Sequence, residues 1–252
     1  MTPPLQFFSR QGMHRLIPSR FSEQGSVLAA VAKDDAMLAD LMLLDGVTND
    51  RLQGEQGSLG GISPYELVYG IAQAHIINGA FTHTCRDGSR FNDATRGAWY
   101  CALTLETATV EVAFHKARHL AEMVVPGQPG ERPAGDTTIY DDWLADFSAE
   151  FHVLEPAEAY AEYLLPGPLP ECYVPSQAFA RDLLLQRSNG VSYPSVRDEG
   201  GGCAVCFRPA LVHHVRRGVR MELVLRRSQS FALHAKQSPA SGYEHTARII
   251  SG

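Results

Sequence analysis

Residues 88–119, GSRFNDATRGAWYCALTLETATVEVAFHKARH, change their hydrophobic period once, and that change constrains the fold more than any other stretch. Ala98-Trp99-Tyr100-Cys101-Ala102 is a short apolar run bounded by turn residues, the pattern of a buried strand. From Thr104 the period becomes helical. Thr104 suits an N-cap, and Glu106 suits the first turn, where a carboxylate meets the positive end of the helix dipole. Glu111 and His115 are four apart and share one helical face. Arg90 on the turn, Tyr100 on the strand and Glu111 on the helix therefore follow one another within reach of one pocket. The same spacing also suits an ordinary strand–helix unit with a surface ion pair, so spacing alone leaves both readings open.

The other elements must build around that unit. Residues 1–12 read as extended or loose, and Met13–Phe21 as a short strand ending at Pro18. Residues 27–44 place Leu28, Val31, Leu38, Leu41 and Met42 at helical spacing, and 48–62 form a glycine-rich loop. Ser63-Pro64-Tyr65-Glu66 has the form of a capping box with proline at the first helical position, predicting a helix to about Asn78. Residues 126–135 are a turn-rich connection. Residues 137–153 read as one or two strands, 156–170 as a proline-rich loop, and 175–187 as a helix with Phe179, Leu183 and Leu184 on its apolar face. An Asn189-Gly190 turn leads to an extended segment over 191–197. Strands follow near Cys203–Phe207 and Val219–Leu225, with the last 20 or so residues poorly structured. Helices and strands mix without a βαβ rhythm. That predicts an α+β fold in a single domain over 1–252, with a helical insertion at about 26–80 and a core at about 81–227. The apolar faces at Leu38, Leu41 and Met42, and at Leu67, Ile71 and Ala74, are expected to pack on that core.

Composition excludes some classes. With 44% hydrophobic and 20% charged residues, 252 residues can bury a sizeable core without disulfides or metal. A net charge of −6 argues against nucleic-acid binding by the whole surface. Arg208, Arg216, Arg217, Arg220, Arg226 and Arg227 still crowd the C-terminal fifth. A solvated basic face is the plainer reading, and a phosphate or acidic-partner surface the other. Five scattered cysteines do not suggest a secreted disulfide scaffold. Cys203 and Cys206 lie in a strand-like stretch, where residues three apart point to opposite faces, so core packing is expected rather than zinc. The N-terminal residues lack a signal pattern, and no segment approaches the roughly 20 apolar residues that span a bilayer. The expectation is a cytoplasmic protein without membrane contact.

Two stretches, GSRFND…GAWYCA…ETATVEVAFH and NGVSYPSVR, together resemble the RES-domain family, named for an arginine, a glutamate and a serine. Arg90, Tyr100 and Glu111 follow in the family's order and spacing, and Ser195 sits inside Tyr-Pro-Ser-Val-Arg. HRLIPSRF looks like the family's first arginine motif, at Arg15. The resemblance covers most of residues 13–225; the long helical stretch at 26–80 departs from shorter members. It implies a fold similar to ADP-ribosyltransferases and an intracellular toxin that destroys NAD+, neutralised by an Xre-type antitoxin. Several members are NAD+ phosphorylases, and some transfer ADP-ribose to protein.

The residue types suit that task. Arginine grips phosphate oxygens in a planar fork, which nominates Arg90, Arg15 and Arg197 for the pyrophosphate or an incoming phosphate. Breaking an N-glycosidic bond leaves an oxocarbenium-like ribose, and a fixed carboxylate, Glu111, stabilises charge that develops in the transition state. Tyr100 offers a ring and a hydroxyl. Ser195 orients a phosphate or amide; no base partner marks it as a nucleophile. Asn92 and His115 are secondary candidates, with buried packing the plainer reading of His115. The expected roles are catalytic for Arg90, Tyr100, Glu111 and Ser195, and substrate-binding for Arg15, Asn92, His115 and Arg197. NAD+ is then a substrate rather than a cofactor, inorganic phosphate the acceptor, and no metal is expected. A homodimer stays open. The alternatives are an NAD+ glycohydrolase, a protein ADP-ribosyltransferase, a metal site at Glu111, His115 and His119, or a nucleotide-binding module without turnover.

Overall fold

The computed structural model describes residues 2–22, 61–123, 133–227 and 242–251. Along them run β1 (Leu5–Pro18), α1 (Ser19–Ser22), α2 (Ala74–Thr82), β2 (Trp99–Ala102), α3 (Leu105–Glu122) and β3 (Gly135–Val153). There follow α4 (Val174–Leu185), β4 (Gly190–Pro194), β5 (Gly202–Cys206), β6 (His213–Arg227) and β7 (Tyr243–Ser251). The seven strands form one sheet in the order β1-β2-β5-β4-β3-β6-β7. β1 also pairs with β3, so the first five strands close on themselves, while β6 and β7 extend the free edge of β3. Among the described strands only β3–β4 is parallel. This is the α+β class that the mixed pattern predicts.

Strand alternation divides the core. Trp99 and Cys101 of β2, with Ala204 and Cys206 of β5, enter one apolar cluster with Phe8, Met13, Phe147 and Phe151. Ala102, Cys203 and Val205 enter the other, beneath α3 and α4, with Ala108, Ala113, Ala117 and Leu183. Cys203 and Cys206 thus pack on opposite faces, as their spacing demands. Thr104 caps α3 by accepting from the Thr107 amide, and the 18-residue helix lays its small residues Ala108, Ala113 and Ala117 against the sheet. No helix among the described residues is long and apolar enough to cross a membrane.

Several expectations need correcting. The N-terminal segment is one 14-residue strand rather than a loose end followed by a short strand. Gly12, at φ +67°, sits in a register shift between Arg10 and Met13 that hides the alternation. The Ser63 capping box forms, but it caps only a 3-10 turn, Pro64–Glu66. Gly70 and Gln73 then take positive φ, which breaks the predicted helix and starts α2 afresh at Ala74. Leu67 is buried in the core as expected, whereas Ile71 is exposed. β6 begins at His213, not near Val219, and the C-terminal residues form strand β7 rather than loose chain. Three of the six arginines in the basic run are paired: Arg216 with Asp146, and Arg217 and Arg220 with Asp141. The predicted helix at 27–44, with Leu38, Leu41 and Met42, lies outside the described residues, as does nearly all of the 48–62 loop.

Candidate active site

The end of β2, the exposed side of α3 and the loop after β4 converge on one concave pocket of about 230 Å³. Arg15, Arg90, Tyr100, Glu111, His115 and Arg197 all line it. Ser195 and Asn92 stand just behind, each bonded to a lining residue. All eight residues singled out from the sequence are therefore brought together.

Glu111 projects from the middle of α3 and has both carboxylate oxygens engaged. Ser195 Oγ donates to Oε1 at 2.7 Å, and Arg197 Nη1 donates to Oε2 at 2.5 Å. The Ser195 hydroxyl in turn accepts from the Arg197 and Asp198 amides, at 3.2 and 3.0 Å. The turn that carries it is tied to the first turn of α3 through Thr107 Oγ1, which donates to Asp198 Oδ2 at 2.6 Å. Gly201 closes that turn where a Cβ would fall 2.6 Å from Asp198 and 2.7 Å from Thr107. Helix and turn thus meet around a carboxylate whose orientation is over-determined.

Arg197 is further held by the Tyr173 hydroxyl at 2.9 Å and by the face of Phe114, 4.0 Å from its guanidinium. Burial alone would lower its pKa, but the Glu111 charge and Tyr173 outweigh that and raise it. Its charge is therefore largely committed to Glu111. Arg90 is 4% exposed; its Nη1 donates to the carbonyls of Tyr163 and Leu165, and it stacks over Tyr173 at 5.0 Å. Among the described residues its Nε and Nη2 have no hydrogen-bond partner and remain for the pocket. The Tyr100 hydroxyl donates to Asn92 Oδ1 at 2.7 Å and accepts from the Phe91 amide at 2.9 Å. Burial pushes its pKa well up, so it acts as a donor, not a phenolate. Arg15 donates to the Tyr100 carbonyl at 3.0 Å and lies 5.0 Å above Trp99; burial pulls it down to about 10, still a cation at neutral pH.

His115 is recessed in the concavity rather than covered. The crowding of pocket atoms, then the charges of Arg197, Arg118 and Arg90, hold its pKa well below the usual range. It therefore stays neutral at pH 7 and is not a cation for phosphate. Burial, then Glu111, pushes the Cys203 thiol up, so it is no thiolate nucleophile. Among the described residues no group of histidine, cysteine and acidic side chains is placed to hold a metal, and Glu111 is already bonded on both oxygens.

Tyr173, Tyr193 and His14 also line the pocket and were not singled out from the sequence. Tyr193 stands two residues before Ser195, so the same extended segment carried its signal. Tyr173 follows a proline-rich stretch and had none.

A family model described as RES domain matches residues 67–231, well over half of the chain. That span takes in Arg90, Asn92, Tyr100, Glu111, His115, Ser195 and Arg197 and leaves Arg15 outside. No curated protein matches. A chain in the crystal structure of the M. tuberculosis MbcT–MbcA toxin–antitoxin complex is similar over 86% of this chain and 85% of that one, at 15% identity and a TM-score of 0.42.

Proposed function

The chain belongs to the RES-domain family, and from that premise we propose that it is a toxin that degrades NAD+, cleaving the nicotinamide–ribose bond with inorganic phosphate as acceptor. The observation that carries this reading is the clamped Glu111: a carboxylate fixed by Ser195 and Arg197 on the wall of a pocket that also presents Arg90 and Tyr100. An oxocarbenium-like centre gains most from charge that need not reorganise when it forms. At about 230 Å³ the pocket is smaller than the roughly 300–1,000 Å³ typical of whole-ligand sites, so it suits one end of a dinucleotide. The nicotinamide ribose sits there beside Glu111, with the pyrophosphate at the free donors of Arg90. Arg197, once a candidate for the incoming phosphate, instead serves Glu111, which leaves Arg15 as the remaining lining arginine for an anion. An Xre-type antitoxin that covers the pocket is the expected partner.

The test is to incubate pure protein with NAD+, with and without inorganic phosphate, and to identify the products by mass. ADP-ribose 1″-phosphate that forms only with phosphate supports the proposal. Free ADP-ribose at equal rates in both makes the enzyme a glycohydrolase. NAD+ binding without nicotinamide release leaves a nucleotide-binding module.

A further inference from the structure

We infer that His14 selects the acceptor: its Nε2 takes the hydrogen bond of the P–O–H that hydrogenphosphate keeps, and Asp142 is the positioning residue that fixes the ring for it. The inference rests on the phosphate acceptor proposed above and names the group that recognises it. His14 lines the same pocket as Arg90, Tyr100 and Glu111. It stands opposite Ala102 on the β1–β2 ladder, and Leu16 stands opposite Asp142 on the β1–β3 ladder. Ala102 and Leu16 both enter the core beneath α3. The side chains of His14 and Asp142 therefore leave the sheet on the side where α3 carries Glu111.

The imidazole is fixed from behind. Its Nδ1 lies 2.9 Å from Asp142 Oδ2. Asp142 is 2% exposed, and its other oxygen, Oδ1, is buried without a hydrogen-bond partner. Such a carboxylate is costly to bury, and its one side-chain bond goes to this ring. It has little room to turn away: a Cβ on Gly218 would fall 2.7 Å from Asp142 Oδ2. Nε2 has no partner among the described residues, and 23% of the His14 side chain is open. His115, the other histidine of the pocket, has no carboxylate bonded to it among the described residues, so no such partner fixes its tautomer.

The donor inventory gives the chemistry. An ionised carboxylate only accepts, so a neutral His14 ring carries its proton on Nδ1 and presents a bare lone pair at Nε2. That lone pair attracts an anion with a proton to donate and repels one with none. Phosphate near neutral pH has a P–O–H, whereas sulfate has only ionised oxygens. Glu111 cannot read that proton, because Ser195 and Arg197 already engage its two oxygens. Arg15, next along β1, answers the anion's charge, and His14 reads its proton. The proton stays on phosphate throughout. An ionised oxygen of the same phosphate forms the bond to ribose C1′. The C1′–N bond breaks, its electron pair stays on nitrogen, and nicotinamide leaves neutral.

Sulfate separates this role from a structural one, since it resembles hydrogenphosphate in size and charge but has no proton to donate. Nicotinamide release is measured against phosphate concentration at saturating NAD+, which keeps the pyrophosphate site filled. Sodium sulfate competes at constant ionic strength. In the parent, the sulfate Ki is expected at least about tenfold above the phosphate KM, the scale of one hydrogen bond to a charged group. His14→Asn should raise the phosphate KM about tenfold and bring the two constants within about threefold. Asp142→Asn frees the ring to present Nε2–H, so sulfate should tighten until the constants again lie within about threefold. KM for NAD+ should hold within about threefold in both variants. A parent that binds sulfate as well as phosphate, or variants that keep the parent's ratio, overturn the His14 reading. A rise in the NAD+ KM that matches the phosphate change marks a structural role and overturns it too. If His14→Asn loses its near-UV circular dichroism, Asp142→Asn carries the test. A parent that phosphate does not accelerate overturns the proposed acceptor, and this site with it. A parent that phosphate accelerates, with ratios unchanged in its variants, overturns this site alone.

Discussion

Two carboxylates in this molecule are held in nearly the same way and end in different circumstances. Glu111 is gripped by the Ser195 hydroxyl and Arg197; Asp141 is gripped by the Ser22 hydroxyl, Arg217 and Arg220. Asp141 has no exposed surface, and arginine side chains that reach solvent are much of its cover. Glu111 keeps about a fifth of its side chain open, toward the pocket. An arginine–carboxylate cluster that closes on itself joins strands. The same cluster left open on one side presents a fixed charge to whatever enters.

Replacing each carboxylate should break that parallel. Glu111→Gln keeps size and is expected to cut nicotinamide release by about a hundredfold or more, the scale of losing one electrostatic stabiliser, while NAD+ affinity changes little. Nicotinamide release and direct NAD+ binding, measured together, check it. Asp141→Ala is expected to do the reverse. It strands two arginines, but their partial exposure softens the penalty to about 2 kcal/mol of folding stability in urea unfolding, with turnover per folded molecule unchanged.

Smaller effects sharpen the contrast. Thr107→Val removes the bond to Asp198 that steadies the Ser195 turn. A loss of about 1 kcal/mol of orientation predicts roughly fivefold slower turnover, read in kcat rather than KM. Protons probe the closed cluster. Burial works against the Asp141 charge, but Arg220, Ser22 and Arg217 overcome it and lower its pKa from 3.8. A depressed carboxylate stabilises the fold above its unfolded value and loses that contribution as pH falls through the folded one. The stability gap between parent and Asp141→Ala should therefore be constant from pH 7 to about 5 and shrink below about 4, checked by urea titration at each pH. Arg216→Ala, a half-exposed partner of Asp146, should stay within about 0.5 kcal/mol.

The sequence was most legible where local rules coincide with tertiary ones. The Trp99–Ala102 strand, the Thr104 cap and α3 are consecutive, so period and capping chemistry sufficed, and they carry Tyr100 and Glu111 into place. α4 was equally plain from its apolar face. Long strands were harder. β1 and β6 carry register shifts, and β6 pairs with β3 through acid–arginine contacts, so their buried or paired polar residues read as surface. β7 mixes polar residues with exposed Ile249 and Ile250 at the sheet edge and offers no alternation. Gly70 and Gln73 ended a helix that the capping box announced, because positive φ overrides a good start. His14 was invisible as a pocket residue: its partner, Asp142, lies 128 residues away, and nothing in either neighbourhood names the other.

The closed ring of β1, β2, β5, β4 and β3 has a consequence for when the molecule exists as a working object. Its seam joins residues 5–18 to residues 140–152, and its far side waits for β5 at Gly202–Cys206. Contacts so distant in sequence form late and slowly. A chain still leaving the ribosome holds Arg90 and Glu111 long before it holds Ser195 and Arg197, so it has the parts of the clamp without the clamp. The clamp is complete only after residues 195–206 have followed Glu111 out.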